Sequence, residues 1–555
     1  MAKEELVHFR SKLRHRVCRS RLLGGVGTVA LLLSSSLPAA AADKETMAEL
    51  RALMAEIREL KAKQHALESR LDKQQKAPPQ HQHADRGAVK TVKSDPPAPV
   101  SLDKLPGVTL TPGGFFAAES VYRTHWMGSD IVEGFQNIPF ANNPAGHTDE
   151  FRFSARQSRL SLRADGDVDP STHLTGYVEI DFLGAAQTAN SNQTSSYNPR
   201  IRQLYTSLDL NEFDLHFLAG QAWTLATTNS NGIKPETILT PPQIDAQYIP
   251  GFVFARQPGL RITKNFGKEF SVAFAAEEAA TTFAAVPANV APGFTNVATL
   301  PGGGVPLVVS APLGGGLYNS SNNYSFNRMP DLIAKVAWDP TILDRHIHVE
   351  GFGLLRDFTS RAYLGNHSVW AGGGGASVIV PVVPKLLDFQ VSGAIGHGIG
   401  RYGASGLPDA TTSITGAPLP IQQRMLLIGA IGHVTPQTDV YAFAGGEFSS
   451  AQPQFETVGG TTYAGGYGNW AYDNSGCGIE NSGLLPAALT VCAGQTKSVR
   501  QLTGGFWHTL YSGSFGKFKA GVQYSYTVRD GFQGLGGSPQ GRNSMIFTSI
   551  RYYPF

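Results

Sequence analysis

The chain has 555 residues, length for three or four ordinary domains, yet only 16% are charged and 41% apolar, with 62 Gly and a mean hydropathy of −0.14. Few charges and no apolar run of about 18 residues beyond the N-terminus exclude a bundle of membrane helices, and 30 Phe, 18 Tyr and 6 Trp exclude a disordered chain. The formal charge of +3 is an N-terminal effect; beyond residue 42 the chain sits at about −2, which excludes a generally basic partner for nucleic acid.

Residues 1–42 read as a secretory signal. Seven Lys/Arg precede an apolar stretch over 22–33, and Ala40 and Ala42 stand at −3 and −1 of a cleavage point before Asp43. An uncleaved anchor is the weaker reading, because the apolar stretch is short. Residues 43–76 predict a helix: Leu50, Leu53, Ile57, Leu60, Gln64, Leu67 and Leu71 follow a 3-4 spacing, the seam of a short coiled coil. So narrow a stripe needs partner chains, and Gln64 would set register in a homo-oligomer; the alternative is one amphipathic helix on its own domain. Residues 77–106, with Pro78, Pro79, Pro96, Pro97, Pro99 and Pro106, form a linker; His81 and His83 read as incidental there, weak metal binding being the alternative.

From 107 to 555 the period falls to two. Arg159, Ser161 and Arg163 oppose Leu160 and Leu162; Glu179 and Asp181 oppose Val178, Ile180 and Phe182; Arg261 opposes Leu260 and Ile262. Sixteen strands are predicted: 114–125, 151–165, 173–184, 200–210, 214–225, 252–264, 269–280, 326–338, 346–358, 369–383, 387–400, 421–434, 438–448, 499–512, 517–530 and 542–555. Connections after even-numbered strands are short and most after odd-numbered ones long, notably 126–150, 226–251, 281–325 and 449–498. The fold class is therefore all-β: a transmembrane antiparallel β-barrel of about 16 strands, preceded by the short α-helical coiled coil. Lipid cannot satisfy backbone groups, so a spanning sheet must close. An even count puts both termini on the short-turn side, expected to be periplasmic. The last residues, Arg551, Tyr552, Tyr553, Pro554 and Phe555, look like an outer-membrane assembly signal, with a bulge expected near the end because Phe555 falls on the opposite face from Ile546, Ile550 and Tyr552.

A sixteen-stranded lumen is too wide for side chains to fill. Loop 226–251, stiffened by Pro235, Pro241, Pro242 and Pro250, is the candidate to fold inward and narrow it, an external cap being the alternative. Arginines cluster in the flanking strands. Arg159, Arg163 and Arg261 have lumen parity, whereas Arg156 and Arg256 do not unless a bulge intervenes. Guanidinium groups suit carboxylate or phosphate; the competing reading is lumen arginines paired with Glu179 and Asp181, without solute preference. Cys18 leaves with the signal, so Cys477 and Cys492, 15 positions apart in a Gly/Asn/Ser-rich stretch, are expected to form one disulfide in an oxidising compartment.

The segments 155–162, 177–184, 200–205, 218–223 and 255–262, and the order signal, coiled coil, Pro-rich linker and barrel, resemble the DcaP-type trimeric porins. The resemblance implies a homotrimer in the outer membrane with a periplasmic helical extension. It also implies an arginine-rich constriction for dicarboxylates and other small anions, carried here by Arg156, Arg159, Arg202, Arg256 and Arg261. Loop 281–325 maps onto no recognisable motif.

Other chemistry is weaker. His346, His348 and Glu350 alternate on one strand face, which fits a metal ligand set but better a polar lumen wall. No trio of Ser, His and acid stands out, so an enzyme is not expected, and neither a cofactor nor a metal is. The expected function is passive diffusion of small, preferably anionic, hydrophilic solutes. A structural tether, joining the outer membrane to periplasmic partners through the coiled coil, is the second reading.

Overall fold

The computed structural model describes residues 107–184, 193–300, 309–310, 324–362, 364–482 and 492–555. The expected signal (1–42), coiled coil (43–76) and linker (77–106) lie outside the described residues, as do 301–308 and 311–323 of loop 281–325.

Sixteen antiparallel strands form one closed sheet. They are β1 Val108–Arg123, β2 Glu150–Ser154 continued by Arg159–Asp169, β3 Thr172–Asp181, β4 Arg200–Leu210, β5 Leu215–Trp223, β6 Arg256–Phe266, β7 Phe270–Glu277 and β8 Asp331–Trp338. The second half is β9 His348–Ala362, β10 Gly365–Val383, β11 Leu387–His397, β12 Gln422–Thr435, β13 Thr438–Ser449, β14 Thr496–Gly513, β15 Gly516–Gly531 and β16 Gln540–Tyr553. Closure is made by β1, which pairs with β16 from Phe116↔Tyr552 to Arg123↔Met545 and with β2 on its other side. No sheet edge is left, so every strand has neighbours for its backbone groups, which a hydrocarbon surrounding requires.

The two-residue rhythm sorts chemistry between faces. Leu260 is 65% exposed while its neighbour Arg261 is 7% exposed. In β8, Leu332, Val336 and Trp338 point out, and Asp331, Ile333, Lys335 and Ala337 are buried. A belt of Leu, Ile, Val and aromatic side chains thus faces outward around the wall, inverting the arrangement of a water-soluble sheet and matching the band that lipid demands. No described helix is long and apolar enough to cross a membrane.

Details differ from the expectations at identifiable places. β1 starts at Val108, six residues before the expected start at 114: Pro112, Gly113 and Gly114 pair with Leu162, Ser161 and Leu160. β2 breaks over 155–158, where four residues face 116–118 of β1, so one extra residue is accommodated as a bulge. β9 and β10 run 15 and 19 residues to a tight hairpin between Ala362 and Gly365, where a longer loop was expected. The bulge expected near the C-terminus is absent: β16 pairs in unbroken register with both neighbours, and the strand simply ends at Tyr553, before Pro554 and Phe555. Arg551 follows the alternation and faces inward, 8% exposed.

On the long-loop side the described connections interlock. A hairpin of Gln452–Val458 and Thr461–Tyr467 takes Thr295–Asn296 of the loop after β7 as a parallel third strand. Cys477 and Cys492 are disulfide-bonded there, with Cα atoms 4.4 Å apart.

Candidate functional site

The loop after β5, residues 224–255, runs through the interior of the barrel. Its hydrogen bonds reach walls on opposite sides. The Leu225 N–H donates to Glu277 Oε1 on β7 (2.7 Å), and Lys335 on β8 donates to the Thr227 carbonyl (2.7 Å). The Asn229 N–H donates to Glu350 on β9 (3.1 Å). Farther along, the Ile244 N–H donates to Gln523 Oε1 on β15 (2.6 Å), Trp507 on β14 donates to the Pro242 carbonyl (2.8 Å), and the Gly251 N–H donates to Glu447 on β13 (2.9 Å). Two glycines permit the closest approach. A Cβ on Gly445 of β13 would overlap the Pro250 carbonyl oxygen, and Gly251, at φ 94°, lies against the Leu426 carbonyl of β12. Ile244, Tyr248, Ile249 and Phe252 share one buried cluster with wall residues Leu427, Phe443, Trp507 and Phe547. The inward-folding expectation for 226–251 matches this path; the stiff prolines and apolar side chains serve as anchors.

On the short-turn side of the loop a cavity of about 550 Å³ remains. Its wall carries Arg159, Arg202, Lys519 and Arg551 against Glu179, Asp439 and the loop's own Asp245, with Gln157, Gln243, Tyr248, His433 and Trp507 between them. Arg159 follows simple alternation. Arg202 does not: Ile201 and Leu204 both face out, 50% and 51% exposed, while Arg202 and Gln203 are both buried. The register between β3 and β4 shifts there, with Glu179 opposite Gln203 and Ile180 opposite Ile201. That bulge turns Arg202 into the lumen.

These cations are braced unequally. Arg202 donates from Nε to Glu179 Oε1 (2.6 Å) and from Nη1 to Asp181 Oδ2 (3.1 Å), and its guanidinium lies over Trp223. Arg159 approaches Glu179 only to 3.7 Å and lies over Phe115. Arg551 donates to Glu119 (2.8 Å) and Gln157 (2.5 Å) between Phe115 and Trp507. Lys519 has no carboxylate within ion-pair distance among the described residues. Arg159 Nε, Arg202 Nη2 and both polar atoms of the Gln243 amide are buried without a hydrogen-bond partner.

Loop groups feel this field. Burial opposes ionisation of the Tyr248 hydroxyl, but Arg202, Arg159 and Arg256 outweigh it and hold its pKa below the ordinary value. Tyr248 sits at φ 69°, a strained backbone for an aromatic residue. Burial, reinforced by the nearby Glu133 carboxylate, pushes the Asp245 carboxyl up to about 8; Glu133 is itself raised by burial. At neutral pH Asp245 is mostly protonated and adds little negative charge to the cavity.

The expected arginines divide. Arg159 and Arg202 line the cavity. Arg156 lies in the β2 break, tied to Asp130 (2.9 Å) and to the carbonyls of Phe182 and Gly184, and stacked on Tyr197. Arg163 pairs with Asp165 (2.9 Å) and reaches Glu236 of the loop (3.1 Å). Arg256 stacks on Trp223 and Phe254, and Arg261 is buried with its Nη2 on the Trp223 carbonyl (2.6 Å). These four do not border the cavity. The reading in which lumen arginines pair with Glu179 and Asp181 therefore describes Arg202 well, Arg159 loosely, and Lys519 not at all. Lys519 and Arg551 carry no signal that singles them out in the sequence: Lys519 is one lysine in an alternating strand, and Arg551 stands among the terminal aromatic residues.

The His348 region is wall rather than metal centre. His348 bonds Asp339 (2.7 Å) and Glu350 (3.0 Å), and Glu350 also meets Lys335 (2.7 Å). His346 lies in a separate short hairpin, and no metal-ligand group occurs among the described residues.

No protein-family profile matches the chain, and no curated protein matches it in sequence. Among solved structures it superposes on the outer membrane channel DcaP of Acinetobacter baumannii with a TM-score of 0.56 and 15% identity, over 82% of this chain and 99% of that one. Looser matches include OprB of Pseudomonas putida (TM-score 0.43, 9% identity, 80% and 94% covered) and the anion-selective porin from Comamonas acidovorans (0.41, 10%, 80% and 99%). The resemblance to DcaP-type channels thus extends from the sequence segments to the fold.

Proposed function

We propose that the chain is a passive diffusion channel of the bacterial outer membrane for small hydrophilic solutes, with a preference for anionic organic acids such as dicarboxylates. One observation carries it. A loop crosses the lumen and leaves a cavity whose wall holds Arg159, Arg202, Lys519 and Arg551 against Glu179 and Asp439, with the loop's Asp245 mostly protonated at neutral pH. In a confined passage of low dielectric, a fixed excess of one sign biases which solutes enter. The outward apolar belt supports the membrane location, and outer-membrane lipid is the surrounding partner. The homotrimer and a periplasmic coiled coil over 43–76 belong to the same proposal, supported by the heptad pattern and the resemblance.

Planar-bilayer recording with a salt gradient tests the preference. The reversal potential is expected to report anion selectivity, and Lys519→Gln, which removes the cation without a carboxylate partner, is expected to lower the anion-to-cation permeability ratio about twofold. Cation selectivity, or a ratio unmoved by Lys519→Gln, would refute the anionic reading.

A further inference from the structure

The outer face of the wall carries a second arrangement that diffusion through the lumen does not use. Across β12 to β16 one register row reads Leu426, Gly446, Arg500, Val528, Arg542, all on the outward side. Arg424 stands on the same face one outward position nearer the long loops. The three arginines are exposed and lie near the strand ends that follow the long connections 398–421, 450–495 and 532–539. The row below them is Ile428, Ala444, Leu502 and Tyr526, and between the two rows runs an open groove of about 570 Å³. Gly446 and Ala444 make its floor, because neither fills the space between Leu426 and Leu502.

Arginine on a lipid-facing surface is costly at mid-membrane and tolerated at the interface, so these residues mark the polar boundary on the long-loop side. Arg500 is partly neutralised by Asp530 (2.7 Å), and Arg542 donates from Nε to the Gln540 amide (2.7 Å). Arg424 has no ion pair among the described residues. The patch thus keeps an excess of positive charge directly above an apolar trough.

We propose that this face binds a multiply phosphorylated, acylated lipid of the leaflet on the long-loop side, its phosphates on Arg424, Arg500 and Arg542 and an acyl chain in the groove. Guanidinium pairs with phosphate bidentately, and basic groups at a polar boundary recognise anionic headgroups. The spacing selects among lipids. The arginines stand on alternate strands, about 10 Å apart at a strand separation of about 4.8 Å. One phosphodiester engages one or two of them, whereas a headgroup with two separated phosphates and several chains spans the patch. A second copy of this chain is the competing occupant, and in a trimer it would present a different face to the rim, so a change in oligomer mass reports it.

The proposal rests on the membrane-spanning reading. Native mass spectrometry of the full barrel in mild detergent, titrated with diphosphoryl lipid A, its dephosphorylated form and inorganic phosphate, tests it. Wild type is expected to hold the diphosphorylated lipid at least tenfold more tightly than the dephosphorylated one and to bind inorganic phosphate negligibly. The variant R424Q/R500Q/R542Q should lose that tenfold, and A444W, which fills the groove without touching charge, should weaken the diphosphorylated lipid several-fold. Equal binding of both lipids, undiminished binding by both variants, or a change in oligomer mass in place of lipid content would overturn it. Conductance in phosphatidylcholine bilayers separates the two readings: a barrel that conducts but binds no lipid A loses only this proposal, and one that neither inserts nor conducts loses both.

Discussion

The two stretches of wall that flank β1 hold cations in different ways. On β2 to β4 the arrangement is a ladder. Glu179 lies between Arg159 and Arg202, and Asp181 between Arg202 and Arg200, so three guanidiniums share two carboxylates. On β15 and β16, Arg551 has Glu119 for itself, and Lys519 stands near Tyr553 with no carboxylate within ion-pair distance among the described residues. A count of basic residues therefore misleads about a channel. The ladder's charge is largely spent on internal structure, and the field that a solute meets depends on the residues left over. The infolded loop decides which residues those are, because it covers part of the wall and leaves the rest open.

The comparison breaks most visibly if the loop is removed. Replacing 236–246 with a short Gly/Ser linker deletes the anchors to Gln157, Trp507 and Gln523 and opens the lumen to both walls. Single-channel conductance is expected to rise about two- to threefold and selectivity to weaken, since passage would no longer be confined beside fixed charge. Unchanged conductance would mean that the loop does not set the narrow point.

The ladder itself is tested by Glu179→Gln. This substitution leaves Arg202 with Asp181 alone and Arg159 with no carboxylate, both largely out of water. Losing one member of a buried charge network is expected to destabilise the barrel by about 3 kcal/mol, read as a lower midpoint of thermal unfolding in detergent. If the folded barrel is recovered, its anion preference should increase, because two cations are released from one carboxylate. A stability loss with no change in selectivity would assign the ladder to structure alone.

Much of this was legible in the sequence, for a physical reason: outward apolar and inward polar residues alternate wherever a wall separates lipid from water, so strand number and loop asymmetry follow from a period of two. Conformational irregularity was what hid the rest. The first half of β1 contains Pro112 and Gly113, poor strand formers when read locally, which pair normally once β2 lies beside them. Arg202 changes face through a bulge that only the register with β3 displays. Arg156, Arg163, Arg256 and Arg261 share composition with Arg159, and nothing in their spacing tells that their partners are Asp130, Asp165, Trp223 and a carbonyl. Lys519 becomes notable only through what is missing around it.

Asp245 gives the smallest expected effect on the channel and the sharpest, because it acts in one pH range only. In an unfolded chain an aspartate titrates near about 3.9; in the loop, burial and Glu133 push it up to about 8. Between those values the folded chain holds a proton that the unfolded chain has lost. Asp245 therefore lowers stability progressively as pH rises from about 4, and the decline levels off above about 8. At neutral pH the side chain is mostly neutral, so Asp245→Asn should leave selectivity almost unchanged there. Its carbonyl oxygen can keep the bonds that Asp245 Oδ1 accepts from the Gln247 and Glu133 backbone N–H groups, while the amide nitrogen replaces an oxygen, Oδ2, that is buried without a partner. Above pH 8 the two proteins should part: wild type gains a carboxylate on the cavity wall and loses part of its anion preference, and Asp245→Asn does not. Reversal potentials at pH 7 and pH 9 measure this, alongside unfolding midpoints that should favour the variant increasingly on the alkaline side. Parallel pH profiles for both proteins would place the Asp245 proton outside the cavity's electrostatics and return the wall's selectivity to its permanent charges.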